Sequence, residues 1–185
     1  MGTNLMYTQL SDPQTFGIGL LIARLALGLL VAAHGAQKLF GWFGGYGLKV
    51  TGEFFVGLGF PPGPLFAGAA GLAELVGGLL VALGLLGPVG PALVISVMIV
   101  AGITVHLSNG LFAQNNGVEL PLLNAAVAFG LALAGYGPYS LDAYLGITPL
   151  WSPMLTYSVL AVGVLGGIGN LIIRHQRPSA QGARK

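Results

Sequence analysis

Seven residues carry the chemistry that this chain can do: Arg24, His34, Lys38, Glu74, His106, Glu119 and Asn124. All lie in or at the ends of long apolar runs. A guanidinium inserted into hydrocarbon costs at least ~2.5–3.5 kcal/mol and rarely sits there without a partner or water. Glu74 is the sole acid inside the second apolar run. A carboxylate among glycines has to be neutral, ion-paired or hydrated. The expected arrangement is therefore an Arg24–Glu74 pair between neighbouring helices. His34 and His106 can each bond a carbonyl or a hydroxyl, so a pocket holding a quinone or a similar polar-headed lipid follows, with Glu74 and Arg24 holding or relaying a proton. Paired histidines can also ligate a haem iron, a weaker reading because each has a plain role as a hydrogen-bonded core histidine. Lys38 can snorkel from its helix end, Glu119 suits the positive end of a helix, and Asn124 wants a hydrogen-bond partner. Asp142 reads as a helix cap or a solvated loop acid. No metal site is expected.

Depth arithmetic supports convergence. At 1.5 Å per residue, His34 and His106 each lie ~9 Å inside one face, Asn124 ~7 Å and Glu74 ~13 Å. Arg24, measured from the other end of a ~30 Å core, lies ~18 Å from that face. Its side chain would bridge the remaining ~5 Å to Glu74.

Composition dictates the solvent. Of 185 residues, 55% are hydrophobic and 6% charged, against about 25% charged in a soluble domain. So little charge cannot cover a globular surface in water, and lipid takes its place. The net charge of +2 is too small to suggest nucleic-acid binding. With no cysteine, thiolate metal sites and cysteine nucleophiles are excluded within the chain, and any redox role needs a cofactor, a quinone-like molecule or a partner. The 32 glycines fit close helix–helix contact in a membrane.

These readings predict an all-α polytopic transmembrane bundle of five spanning helices. Residues 1–15 form a polar tail without Lys or Arg, unlike a cleaved signal peptide. The first span covers Phe16–Phe40, with Arg24, Gly28, Val31, Gly35 and Lys38 on one stripe. A segment near 48–58 lies in the interface. The second span runs Leu65–Leu86, the third Pro91–Phe112 and the fourth Glu119–Tyr136. After an interfacial turn, the fifth runs Met154–Ile173, where Gly163 and Gly167 offer a packing face within the bundle or between copies, the latter giving a homo-oligomer. Residues 174–185 form a basic tail. Arg174, Arg177, Arg184 and Lys185 share a side with Lys38 and Lys49, which predicts a cytoplasmic C-terminus.

Three stretches, HGAQKLFGWFGG, GLAELVGGLLVALGLLGP and NNGVELPLLNAAVAFGLALAGYGPYSLD, together resemble the DoxX family of bacterial membrane proteins over 16–142. His34, Gln37, Lys38, Glu74, Glu119, Ser140 and Asp142 match the family pattern. The fifth helix and the tail lie beyond its usual four-helix core. The resemblance implies a bacterial inner or plasma membrane location. It also implies an association with quinol-linked redox systems, and with soluble redox partners in oxidative-stress defence. The expected function is an integral membrane subunit of a redox-linked system that touches the quinone pool. The alternative is a non-enzymatic scaffold that recruits partners. A small transporter fits less well, since no inverted repeat is evident.

Overall fold

The computed structural model describes residues 12–175, so most of the polar N-terminal tail and the basic tail beyond His175 lie outside it. All regular structure among the described residues is helical.

Helix α1, Pro13–Phe40, starts three residues before the expected Phe16. Asp12 caps it by accepting from the Thr15 N–H at 2.8 Å, and Pro13 occupies the first position, where no donor is lost. Gly41 ends it in the left-handed conformation. The short helix α2, Gly47–Gly57, covers nearly the whole of the 48–58 stretch. Helix α3, Gly63–Leu83, opens on the proline-rich turn. Helix α4, Val89–Ala101, passes into a π-helical turn, Gly102–His106, and then a 3-10 turn, Leu107–Asn109. The expected single helix to Phe112 is therefore irregular in its last two turns. Helix α5 is Glu119–Ala134, α6 is the single turn Leu141–Tyr144, and α7 is Pro153–Ile172.

Helices α1, α3 and α7, and α4 with its two irregular turns, are long and apolar enough to cross a membrane. Helix α5, at 16 residues, is ~24 Å long, somewhat short of a full hydrocarbon core. Large apolar side chains such as Ile22, Leu65, Leu122, Val162 and Leu165 face outward, as lipid requires. The chain is a polytopic helical membrane protein.

The α1–α3 seam sets the register of everything else. A Cβ on Gly28 would fall within 2.5 Å of Ala82 N and Gly78 O, and one on Gly35 would overlap the Leu75 backbone. Glycine alone permits so close an approach. The two antiparallel helices are thereby locked with Gly28 beside Gly78 and Gly35 beside Gly71. Gly163 and Gly167 of α7 meet Ala92 and Ser96 of α4 in the same way. That small-residue face is thus filled within the bundle.

Candidate functional site

The seam separates the polar residues into two groups. Gly35 is level with Gly71–Leu75, so Glu74 sits beside the last turns of α1. Arg24 is eleven residues earlier, ~16 Å away along the axis. The expected Arg24–Glu74 pair is therefore corrected: Glu74 pairs with Lys38, Nζ to Oε2 at 2.5 Å. The earlier arithmetic fitted the first helix into ~30 Å of hydrocarbon. At 28 residues, α1 is ~42 Å long, and that compression brought Arg24 down to a level it does not occupy.

At the Lys38 end, Glu74 is 3% exposed and Lys38 26%. The carboxylate is held inside by α3, and the ammonium reaches it from the last turn of α1. Both line a cavity of about 420 Å³, within the range of small-molecule pockets. Its apolar wall is aromatic. Phe54 and Phe55 come from α2 and Phe66 from α3, and Phe60 lies between those helices. The Phe55–Phe60 and Phe60–Phe66 ring centroids are 6.0 and 5.5 Å apart. Opposite stand Ser96, Thr104 and His106 from α4 and its π turn, and Asn170 from α7. Thr104 is spent on the Val100 carbonyl at 2.8 Å. The π turn inserts an extra residue per turn, a feature that recurs at functional sites, and it ends on His106.

His106 is oriented from behind. Its Nδ1 lies 2.9 Å from the Asn116 carbonyl. A carbonyl can only accept, so Nδ1 carries the proton and Nε2 of the neutral ring is left as an acceptor. The end of α7 folds back over the same region: Arg174 Nε donates to the Leu58 carbonyl at 2.6 Å, and the His175 N–H to the Gly59 carbonyl at 2.8 Å. Leu58 and Asn170 both line the cavity, so this strap fixes one of its edges.

Three expected members lie elsewhere. His34 is exposed, with Nδ1 3.0 Å from Gln37 Oε1, while Gln37 donates to the Phe43 carbonyl at 3.1 Å. It does not line the cavity that holds His106. Glu119 accepts from the Ala113 N–H at 2.7 Å, a tie across the loop that leads into α5. Asn124 points its amide at Met98 Sδ, 3.9 Å away.

At the other end Arg24 is 1% exposed. Its Nη2 donates to the Tyr139 carbonyl, and Nη1 lies against Gly84, whose φ of +65° and missing Cβ make the space. Nε and Nη1 have no hydrogen-bond partner among the described residues. Asp142 is neither the cap nor the solvated acid expected. It is 2% exposed and accepts from the Leu86 and Gly87 N–H groups at 2.8 and 2.7 Å. It thereby holds the α3–α4 turn, where Leu86 adopts φ +59°. Ser140 is the cap of α6, accepting from the Ala143 N–H at 3.1 Å. Tyr136 and Trp151 line a further cavity of about 300 Å³ with Asp142.

Sequence reasoning missed the aromatic wall, Asn170 and the Asp142 staple. The run of phenylalanines from Phe54 to Phe66 was a signal for the wall. No signal for the π turn can be read in GITVH.

A helical bundle with one buried ion pair beside a mixed polar and aromatic cavity defines a class: integral membrane proteins with an intramembrane polar pocket. The family follows from comparison. The DoxX family model matches residues 19–107, which hold most of α1, all of α2, α3 and α4, and every residue lining the Lys38–Glu74 cavity except Asn170. Over that stretch the chain is similar to the DoxX family. Comparison with curated proteins and with solved structures returns no match.

Proposed function

We propose that the chain is a membrane subunit of a redox-linked system, and that it holds the head of a quinone, or of a similar polar-headed lipid, in the cavity between α2, α3 and α4. The observation that carries this is one shared wall: the Lys38–Glu74 pair and His106 line the same aromatic cavity. A quinone head needs a flat apolar slot and polar groups at its oxygens. The four phenylalanines supply the slot. The Lys38 ammonium can donate to a carbonyl oxygen. His106 Nε2 can accept from a hydroxyl of the reduced form, with the proton then resting on an imidazole whose other nitrogen is already tied to Asn116. Glu74 holds Lys38 in place. Redox chemistry itself belongs to the quinone and to a partner that exchanges electrons with it. Soluble redox proteins at the bacterial inner membrane are the fitting partners, with the C-terminus on the cytoplasmic side.

A scaffold role draws support from a different region. Trp42, Phe43 and Tyr46, in the α1–α2 connection, are 59%, 71% and 80% exposed and form an aromatic edge suited to a headgroup layer or a docked protein.

A photoreactive quinone analogue tests the first reading. Irradiation of the purified protein should label peptides from residues 54–66 and 96–106, and unlabelled ubiquinone or menaquinone should compete. Absence of competed label, or label confined to residues 138–157, would overturn it.

A further inference from the structure

The cluster around Arg24 is a second site, independent of the cavity at Lys38. Its guanidinium cannot lose its charge in a protein, yet among the described residues it makes no ion pair. The carboxylate in its neighbourhood, Asp142, has both oxygens committed to backbone N–H groups. Two of its three nitrogens, Nε and Nη1, are buried without a hydrogen-bond partner among the described residues. Water can supply hydrogen bonds to such a group but no balancing charge, and an uncompensated buried cation is strongly destabilising.

Arg24 also lines a cavity of about 430 Å³ with Ala82, Leu83, Tyr139, Ser140 and Tyr144. Those neighbours include neither an acid nor a base. One side is apolar, and the rim carries Tyr144, 85% exposed, and Tyr139, 44% exposed, aromatic residues of the kind found at membrane–water interfaces. A cation among the lining residues of an open, largely apolar depression that also carries two tyrosines matches an amphiphile with a negative head.

We propose that this cavity binds a phosphate-type oxyanion at Arg24, presented by the headgroup of an anionic phospholipid. A guanidinium that always carries its charge gives an oxyanion charge-assisted hydrogen bonds. The acyl chains would run down the outer face of α3 past Leu83.

Thermal unfolding of the purified protein in mixed micelles tests this. Micelles contain either phosphatidylcholine or phosphatidylglycerol, and a third arm adds inorganic phosphate at matched ionic strength. At saturating phosphatidylglycerol the midpoint should rise about 5 °C above phosphatidylcholine. A rise with phosphatidylglycerol alone supports the lipid source. A comparable rise with inorganic phosphate supports the site and assigns it to a free oxyanion. No rise in either arm overturns the proposal. Arg24→Met should lose the shift. Arg24→Lys, which keeps the charge without the fork, should keep a reduced one. Leu83→Trp, a change at a half-exposed wall residue, should lose it with Arg24 intact and covers the case in which Arg24→Met does not fold. An undiminished shift in Leu83→Trp and in Arg24→Met, or in Leu83→Trp alone if Arg24→Met is not recovered, would make the effect non-specific and overturn the proposal.

Discussion

The two ends of the α1–α3 seam each bury a charge, and they balance it differently. At one end Glu74 is deep and Lys38 reaches in from a half-exposed position, giving a complete pair at 2.5 Å. At the other, Arg24 is deep and its neighbouring acid is spent on the α3–α4 turn. The first end is self-contained and lends its cation to a cavity. The second is held together by carbonyls and backbone N–H groups, and its cation is left open. A charge in the bilayer thus does not imply a protein counter-charge. What decides is whether helix register brings a partner within reach.

The largest disturbance should come from the seam that keeps the ends apart. Gly35→Val forces a branched side chain into the Leu75 backbone and should cost ~3 kcal/mol or more, beyond the usual range for overpacking because backbone cannot yield. Gly19→Val, on the same helix but with no atom near its Cβ position, should change stability by ~0.5 kcal/mol or less. Thermal or denaturant unfolding of both variants checks the contrast.

Next come the partners of the ion pair, which should be unequal. Lys38→Met strands a carboxylate that is 3% exposed and should cost ~3 kcal/mol. Glu74→Gln leaves an ammonium that can turn outward and should cost ~1 kcal/mol. Equal losses in unfolding experiments would mean that the two groups share one environment.

An effect smaller than that of Lys38→Met is expected at the far end. Asp142→Asn keeps one acceptor for the Leu86 and Gly87 N–H groups and places an amide donor against the other. It should cost ~1–2 kcal/mol and leave quinone binding unchanged, as read by unfolding and by ligand titration.

The helices were legible because each is an apolar run punctuated by residues with a local meaning: Asp12 and Pro13 before α1, Gly41 after it, Glu119 at the start of α5, and Ser152 with Pro153 before α7. These are one-dimensional signals. The site was legible only in part. Lys38, Glu74 and His106 do line one cavity, while His34 faces outward, Glu119 and Asn124 lie outside the cavity, and Arg24 lies a helix half-length away. The reason is that lateral register is a property of two helices. It is set where Gly28 and Gly35 admit a neighbouring backbone, and no rise per residue counted along one chain reveals it. The glycines marked the contact face but not which residue would stand opposite.

The central claim is that one cavity, at the Lys38 end alone, takes the quinone head. Its most direct test is the dissociation constant of a soluble quinone analogue for the wild type, His106→Ala and Arg24→Lys. The account predicts saturable binding to the wild type, weakened about tenfold or more in His106→Ala, as the loss of one hydrogen bond worth ~1.4 kcal/mol gives, and unchanged in Arg24→Lys. No saturable binding to the wild type, or an equal weakening in the two variants, would contradict it.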